Sequence, residues 1–212
     1  MKNSERIVRD KYVDIDYHQF TQSKGLKLAM QIAGIMTWPV ILPLALLSKI
    51  SDFIFVTNSQ ILSLVPYLLG TIVRYEFYRF TLRKCGHNVM VGFGTVFLYK
   101  DIEIGDNVLF GMYNTIHYCD FGSYVLVADG CRLLSGSKYH NHENTNIPMA
   151  LQGGKLKRIK INNDCWIGAN AVVMNDVESG AIIGSGSVVT KKVETMNIVA
   201  GNPATLLKSR IE

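Results

Sequence analysis

The side chains able to do chemistry are few and unevenly placed. Two of the five histidines, His140 and His142, lie in a polar stretch running Ser-Lys-Tyr-His-Asn-His-Glu-Asn-Thr-Asn-Ile-Pro from Ser137. An imidazole titrates near neutral pH, so both are candidates for moving a proton. A histidine in a polar loop is also commonly a solvated side chain with no role. The four cysteines, Cys85, Cys119, Cys131 and Cys165, form neither a CxxC pair nor a zinc spacing. That pattern requires neither disulfides nor a metal and fits a reduced, cytoplasmic setting.

The elements that hold these groups follow from composition. The chain has 212 residues, 48% hydrophobic and 18% charged, and a formal net charge of +5. That is enough for one domain with an appendage and too apolar for disorder. Eighteen glycines without a three-residue period exclude collagen. Residues 1–85 carry 11 Lys+Arg against 6 Asp+Glu, and residues 86–212 carry 11 against 11. The basic surplus thus sits beside the apolar runs, which points to anionic lipid rather than nucleic acid.

Two uncharged runs, Leu28 to Leu47 and Phe53 to Val73, are separated only by Ser48-Lys49-Ile50-Ser51-Asp52. Either is long enough to cross a hydrocarbon core of about 30 Å as a helix. Pro39 and Pro43 should kink the first. A tight transmembrane hairpin and a re-entrant pair both place the flanks on one side. Lys24, Lys27, Arg74, Arg79, Arg83 and Lys84 make that side cytoplasmic. Tyr75, Phe77, Tyr78 and Phe80 are expected to form a headgroup-level aromatic belt. The competing reading is a buried helical pair covering one end of a soluble domain.

From Val91 onward a different order takes over. Large apolar residues recur close to every six positions: Val91, Phe97, Ile104, Phe110, Ile116, Phe121, Val127, Leu133, then Ile161, Ile167, Val173, Ile183 and Val189. Small residues stand two places before many of them, including Cys119, Cys131 and Cys165, which read as core fillers. Period six means short strands stacked as a parallel β-helix, three strands to a coil. Asn114 occupies one of the small inward slots, where an amide is out of place. The period stops once, over 137–158, and a loop of that length in a compact repeat is usually functional or mobile.

The stretches Asn163-Asp164-Cys165-Trp166-Ile167-Gly168-Ala169, Ile183-Gly184-Ser185-Gly186-Ser187-Val188-Val189-Thr190-Lys191 and Ala200-Gly201-Asn202-Pro203-Ala204 strongly resemble the hexapeptide-repeat acyltransferases. Within that superfamily the chain is similar to the membrane-associated O-acetyltransferases of surface-polysaccharide synthesis. The resemblance covers roughly residues 85–210, and Gln60 to Tyr78 resembles the N-terminal segment of a subset. It implies a mainly β fold, a left-handed parallel β-helix of hexapeptide repeats with an N-terminal hydrophobic helical segment. The expected divisions are a polar leader at 1–25, a membrane-associated helical region at 26–84, the β-helix at 85–200 with its loop at 137–158, and a tail at 201–212. The resemblance also implies a homotrimer with acetyl-CoA between subunits, and no metal.

By matching position, His140 is the implied general base and His142 its rival, with His142 or Glu143 able to orient it. Trp166, Ala169, Ser185, Thr190, Lys191, Pro203 and Lys208 are the implied donor contacts. Lys191, Lys192, Lys208 and Arg210 also suit the phosphates of coenzyme A; otherwise they form a solvated surface. Asn114 and Asp120 are the implied acceptor-pocket residues. The expected acceptor is a sugar or glycan hydroxyl at the cytoplasmic face of a bacterial inner membrane, with membrane lipid as a further partner. Two other enzymes share the fold: an antibiotic-modifying acetyltransferase and a zinc carbonic anhydrase. His117, His140 and His142 do not match the spacing of the latter. A non-catalytic membrane scaffold is the remaining alternative.

Overall fold

The computed structural model describes residues 24–136 and 139–211. All but the last two residues of the expected leader lie outside them. Among the described residues three α-helices precede sixteen short strands: α1 (Lys24–Ile50), α2 (Asp52–Ser63) and α3 (Tyr67–Thr81). Helix α1 continues through Pro39 and Pro43.

The second apolar run is not one helix. Pro66 has no N–H to donate and disfavours helical geometry at Val65, so the run breaks between α2 and α3. Their 12 and 15 residues reach roughly 18 and 22 Å at about 1.5 Å per residue, short of a hydrocarbon core. The transmembrane hairpin is therefore corrected. Among the described residues only α1, over Leu28–Ile50, is long and apolar enough to cross a membrane.

The expected aromatic belt is corrected as well, because Phe77 and Tyr78 are buried. Tyr78 lies 4.5 Å ring to ring from Phe97, and Phe97, Phe110 and Phe121 continue the column at 5.2 and 4.8 Å. Helix α3 thus plugs the open end of the β-helix, where the first coil has no coil beneath it. Hydrogen bonds fix the fit: Ser59 Oγ pairs with the Tyr78 hydroxyl at 2.8 Å and accepts from Phe97 N–H at 3.1 Å.

Arg74 is buried there too, and among the described residues it has no carboxylate partner. It donates to the carbonyls of Val91, Leu62, Ser63 and Val65 at 2.7–3.3 Å. Helix α1 lies along the other two. Trp38 Nε1 donates to Glu76 at 3.0 Å, Asn58 to Ser48 Oγ at 3.0 Å, and Lys100 pairs with Asp52 at 2.9 Å. A helical module covering one end of the β-helix is what forms, with a largely apolar outer surface.

The strands make three parallel faces. The first holds β1 (Lys84–Cys85), β4 (Glu103–Ile104), β7 (Cys119–Phe121) and β10 (Ile159–Ile161). The second holds β2 (Met90–Val91), β5 (Leu109–Phe110), β8 (Leu126–Val127), β11 (Trp166–Ile167), β13 (Ile182–Ile183) and β15 (Asn197–Gly201). The third holds β3 (Val96–Phe97), β6 (Thr115–Ile116), β9 (Arg132–Leu133), β12 (Val172–Val173) and β14 (Val188–Val189). The expected tail is mostly a strand, β16 (Ala204–Ser209), which turns back antiparallel on β15.

Every large residue of the period-six series points inward, none more than 4% exposed. The long step from Val173 to Ile183 is filled by buried Val177, which bridges Ile161 and Val193 on the first face. The corner between second and third faces repeats a left-handed residue at Gly94, Tyr113, Gly130, Asn170 and Gly186. That conformation favours Gly and Asn.

The core cysteines behave as fillers. Cys119, Cys131 and Cys165 are buried, and burial pushes the Cys165 thiol up to about 11 and the partly covered Cys85 up to about 12. A thiol whose folded value is raised contributes stability below the unfolded value and loses it as pH climbs toward the folded one. We therefore expect the melting temperature to fall from about pH 9 upward, and Cys165→Ala to flatten that fall. Native protein at pH 8 should resist iodoacetamide, and rapid labelling before unfolding would contradict the assignment.

Candidate functional site

The loop of residues 137–158 leaves the β-helix after β9 and re-enters at β10, on the corner between third and first faces. Its return is clamped. Arg158 donates to Asp120 at 2.7 Å, pairs with Asp101, bonds the Tyr118 hydroxyl and covers the Tyr118 ring at 3.9 Å. Arg83 adds pairs to Asp101, Glu103 and Asp120 at 2.9–3.2 Å. The loop is braced internally: Asn141 N–H bonds Gly153 O at 2.8 Å, and Gln152 Nε2 donates to Asn144 O and Ile147 O at 2.7 Å.

His140 is carried on this braced loop, exposed, with its ring 4.8 Å from that of Tyr139. His142 is exposed two residues on. Among the described residues no hydrogen bond joins either histidine to Glu143.

Beneath the loop lies a group that sequence reasoning passed over except as a zinc candidate. His117 follows β6 and sits between the rings of Tyr99 and Tyr139, at 6.4 and 6.5 Å. Its Nδ1 is buried without a hydrogen-bond partner among the described residues. Burial holds its pKa below the usual histidine value, which keeps it neutral at pH 7. Tyr99 is pushed up to about 12 by burial and by its neighbour Tyr139. The only sequence signal was a ring just past the first two third-face strands, Tyr99 after β3 and His117 after β6. The described residues contain no cluster of three or more metal-ligating side chains.

The two implied acceptor residues have other employment. Asn114 is fully buried. Its Nδ2 donates to Gly111 O at 3.0 Å and its Oδ1 accepts Cys131 N–H at 2.7 Å. The inward slot has turned the amide into a brace between coils. Asp120 faces the loop's foot, but its carboxylate is taken by Arg158, Arg83 and the Glu103 N–H. That makes it part of the clamp.

The implied donor contacts divide between places. Ala169, Ser185 and Pro203 stack on the corner between second and third faces, where Gly186 N–H bonds Ala169 O at 2.8 Å and Gly201 N–H bonds Ser187 Oγ at 3.2 Å. Trp166 stands 51% exposed on the second face, and Lys208 is exposed on β16 opposite Ile198. Thr190 and Lys191 occupy the corner of the His140 loop; Asn175 donates to Thr190 O at 3.2 Å and accepts from Lys157 at 2.9 Å. Lys192 and Arg210 are paired with Glu178 and Asp164. Among the described residues Lys191 and Lys208 have no carboxylate partner, which leaves them the better suited to an anion.

A three-faced parallel β-helix of six-residue repeats, opened once by a histidine-bearing loop, is a hexapeptide-repeat fold. Solved structures share it, and short stretches of the chain are similar to curated proteins. A galactoside acetyltransferase solved in complex with coenzyme A superposes with a TM-score of 0.63 at 20% identity, over 80% of this chain and 82% of that one. The likeness is one of fold. A chloramphenicol acetyltransferase of Klebsiella aerogenes is 54% identical over 52 residues, 24% of this chain and 25% of its own length. A probable macrolide acetyltransferase of Lysinibacillus sphaericus is 30% identical over 105 residues, 42% of this chain and 58% of its own. The chain thus spans a quarter to somewhat over half of these relatives. No family model matches it.

Proposed function

We propose that the chain is an acetyl-CoA-dependent O-acetyltransferase that modifies a sugar hydroxyl in surface-polysaccharide synthesis, seated on the cytoplasmic face of a bacterial inner membrane. The observation that carries the reaction is His140, held exposed on a braced loop at the same corner as Thr190 and unpaired Lys191. The carrier of the setting is the helical module, whose outer surface includes Ile32, Met36, Val40 and Leu46, all more than half exposed.

In this reading the His140 imidazole takes the acceptor hydroxyl's proton as its oxygen attacks the thioester carbonyl. The tetrahedral oxyanion collapses, the C–S bond breaks, and the imidazolium returns the proton to the coenzyme A thiolate. Backbone N–H groups hold the oxyanion. Within one chain the Ala169–Ser185–Pro203 corner and the Thr190–Lys191 corner lie on either side of the third face. A homotrimer would set one copy's first corner against the next copy's second, and the donor would bind in that groove.

The relatives favour a second reading, transfer to an antibiotic. A helical module with an apolar exterior has no evident use in a soluble drug-modifying enzyme. Coenzyme A release from acetyl-CoA, measured in detergent with nucleotide sugars, glycans, chloramphenicol and a macrolide in parallel wells, separates the two. Release with a drug alone would overturn the sugar reading. Absence of acetyl-CoA binding would overturn both and favour a scaffold.

Lys191→Ala should raise the KM for acetyl-CoA. A charge-assisted hydrogen bond contributes about 1.5–3 kcal/mol, or roughly 10- to 100-fold. The wild-type KM should rise with salt more steeply than the variant's. Equal slopes would remove Lys191 from the donor site.

A further inference from the structure

Away from the His140 corner, the helical module and the β-helix enclose a cavity of about 580 Å³. It lies between α1, α3 and the turns of the first two coils. Met30, Ile35, Trp38, Ile72, Val89 and Met90 supply its apolar wall. That volume is within the usual range for small-molecule sites, and methionines adapt to chains of varied shape.

Two features indicate what enters. Ile35 lines the cavity and is itself exposed, beside the exposed Leu28, Ile32 and Met36 of the same helix. The entrance is thus continuous with the apolar exterior of α1, a poor approach for a polar solute and a direct one for a hydrocarbon chain. The lining also contains Arg79 and His87. The guanidinium of Arg79 is held over the rings of Trp38 and Phe80 at 5.8 and 5.0 Å. Its carboxylate neighbour Glu76 is already bonded by Trp38 Nε1 at 3.0 Å and meets a single Arg79 nitrogen at 3.4 Å. Most of the Arg79 donors are therefore available to a phosphodiester, for which a guanidinium fork is well shaped.

We propose that this cavity is a binding site for a membrane phospholipid, with one acyl chain between α1 and α3 and the anionic headgroup on Arg79. The inference rests on the membrane-seated reading of the helical module and adds a stoichiometric lipid to it.

The chain has two tryptophans, and one, Trp38, lines the cavity. A Trp166→Phe background leaves Trp38 as the sole emitter. In excess non-ionic detergent, phosphatidylglycerol with brominated acyl chains should quench it saturably, by at least half, at about one lipid per chain. Thr71→Phe, which fills the cavity, should abolish the saturable phase, and Arg79→Gln at its edge should weaken it about tenfold. Quenching that rises linearly with lipid and is the same in both variants would overturn the site. Flotation with phosphatidylglycerol vesicles reads the membrane seat separately. A chain that quenches saturably without floating keeps the cavity and loses the seat; one that floats without saturable quenching does the reverse.

Discussion

Replacement of His140 by alanine is expected to lower kcat for acetyl transfer by about 10²- to 10⁴-fold, the usual contribution of a positioned general base. Acetyl-CoA binding should change little, because the implied donor contacts lie on the β-helix and not on the imidazole. His142→Ala should stay within a few-fold of wild type. Both rings are exposed and neither is oriented by Glu143, so the two substitutions discriminate by position along a braced loop. Loss in His142→Ala alone would keep the reaction and move the base two residues on.

The second large effect concerns Arg74. Helix α2 ends with carbonyls that have no partner within the helix, and Arg74 collects those of Leu62 and Ser63 with Val65 and the first-coil Val91. A cation at a helix C-terminus also meets the negative end of its dipole. The residue is 1% exposed, so Arg74→Met leaves the Val65 and Val91 carbonyls bare, while Leu62 O and Ser63 O keep the N–H groups of Val65 and Gly94. We expect destabilisation of about 2–5 kcal/mol, since each buried carbonyl left without a donor costs about 1–3 kcal/mol. Arg74→Lys should recover little, since one ammonium cannot reproduce the planar fork. Gly70 supports the same joint: a Cβ there would lie 1.9 Å from Val65 O and 2.6 Å from Arg74 Nη1. Denaturant melts in detergent provide the magnitude. Limited proteolysis should cut the Arg74→Met chain between α2 and α3 while the β-helix survives. Loss below about 1 kcal/mol would mean that water satisfies those carbonyls.

What the sequence determined by itself was the β-helix. Each coil repeats the same environment every six residues, so an inward Ile or Val is recognisable from spacing alone. The small-slot cysteines and the loop, seen as the place where the period stops, were legible for the same reason. The run from Phe53 to Val73 was not. Its composition is that of a membrane span, and only the tertiary structure breaks it at Pro66 and turns inward the residues just past it, Arg74, Phe77 and Tyr78, because the β-helix has an open end that needs an aromatic plug and a set of bonded carbonyls. The hydrogen bonds of Asn114 and Asp120 were not legible either: a side chain's type does not reveal whether a neighbouring coil or the loop's foot has already taken them. The division of the donor contacts between two corners also required the fold. Residues such as Ser185 and Thr190 stand five apart in sequence but on opposite edges of one face, because a strand of this β-helix carries the chain from corner to corner within that distance.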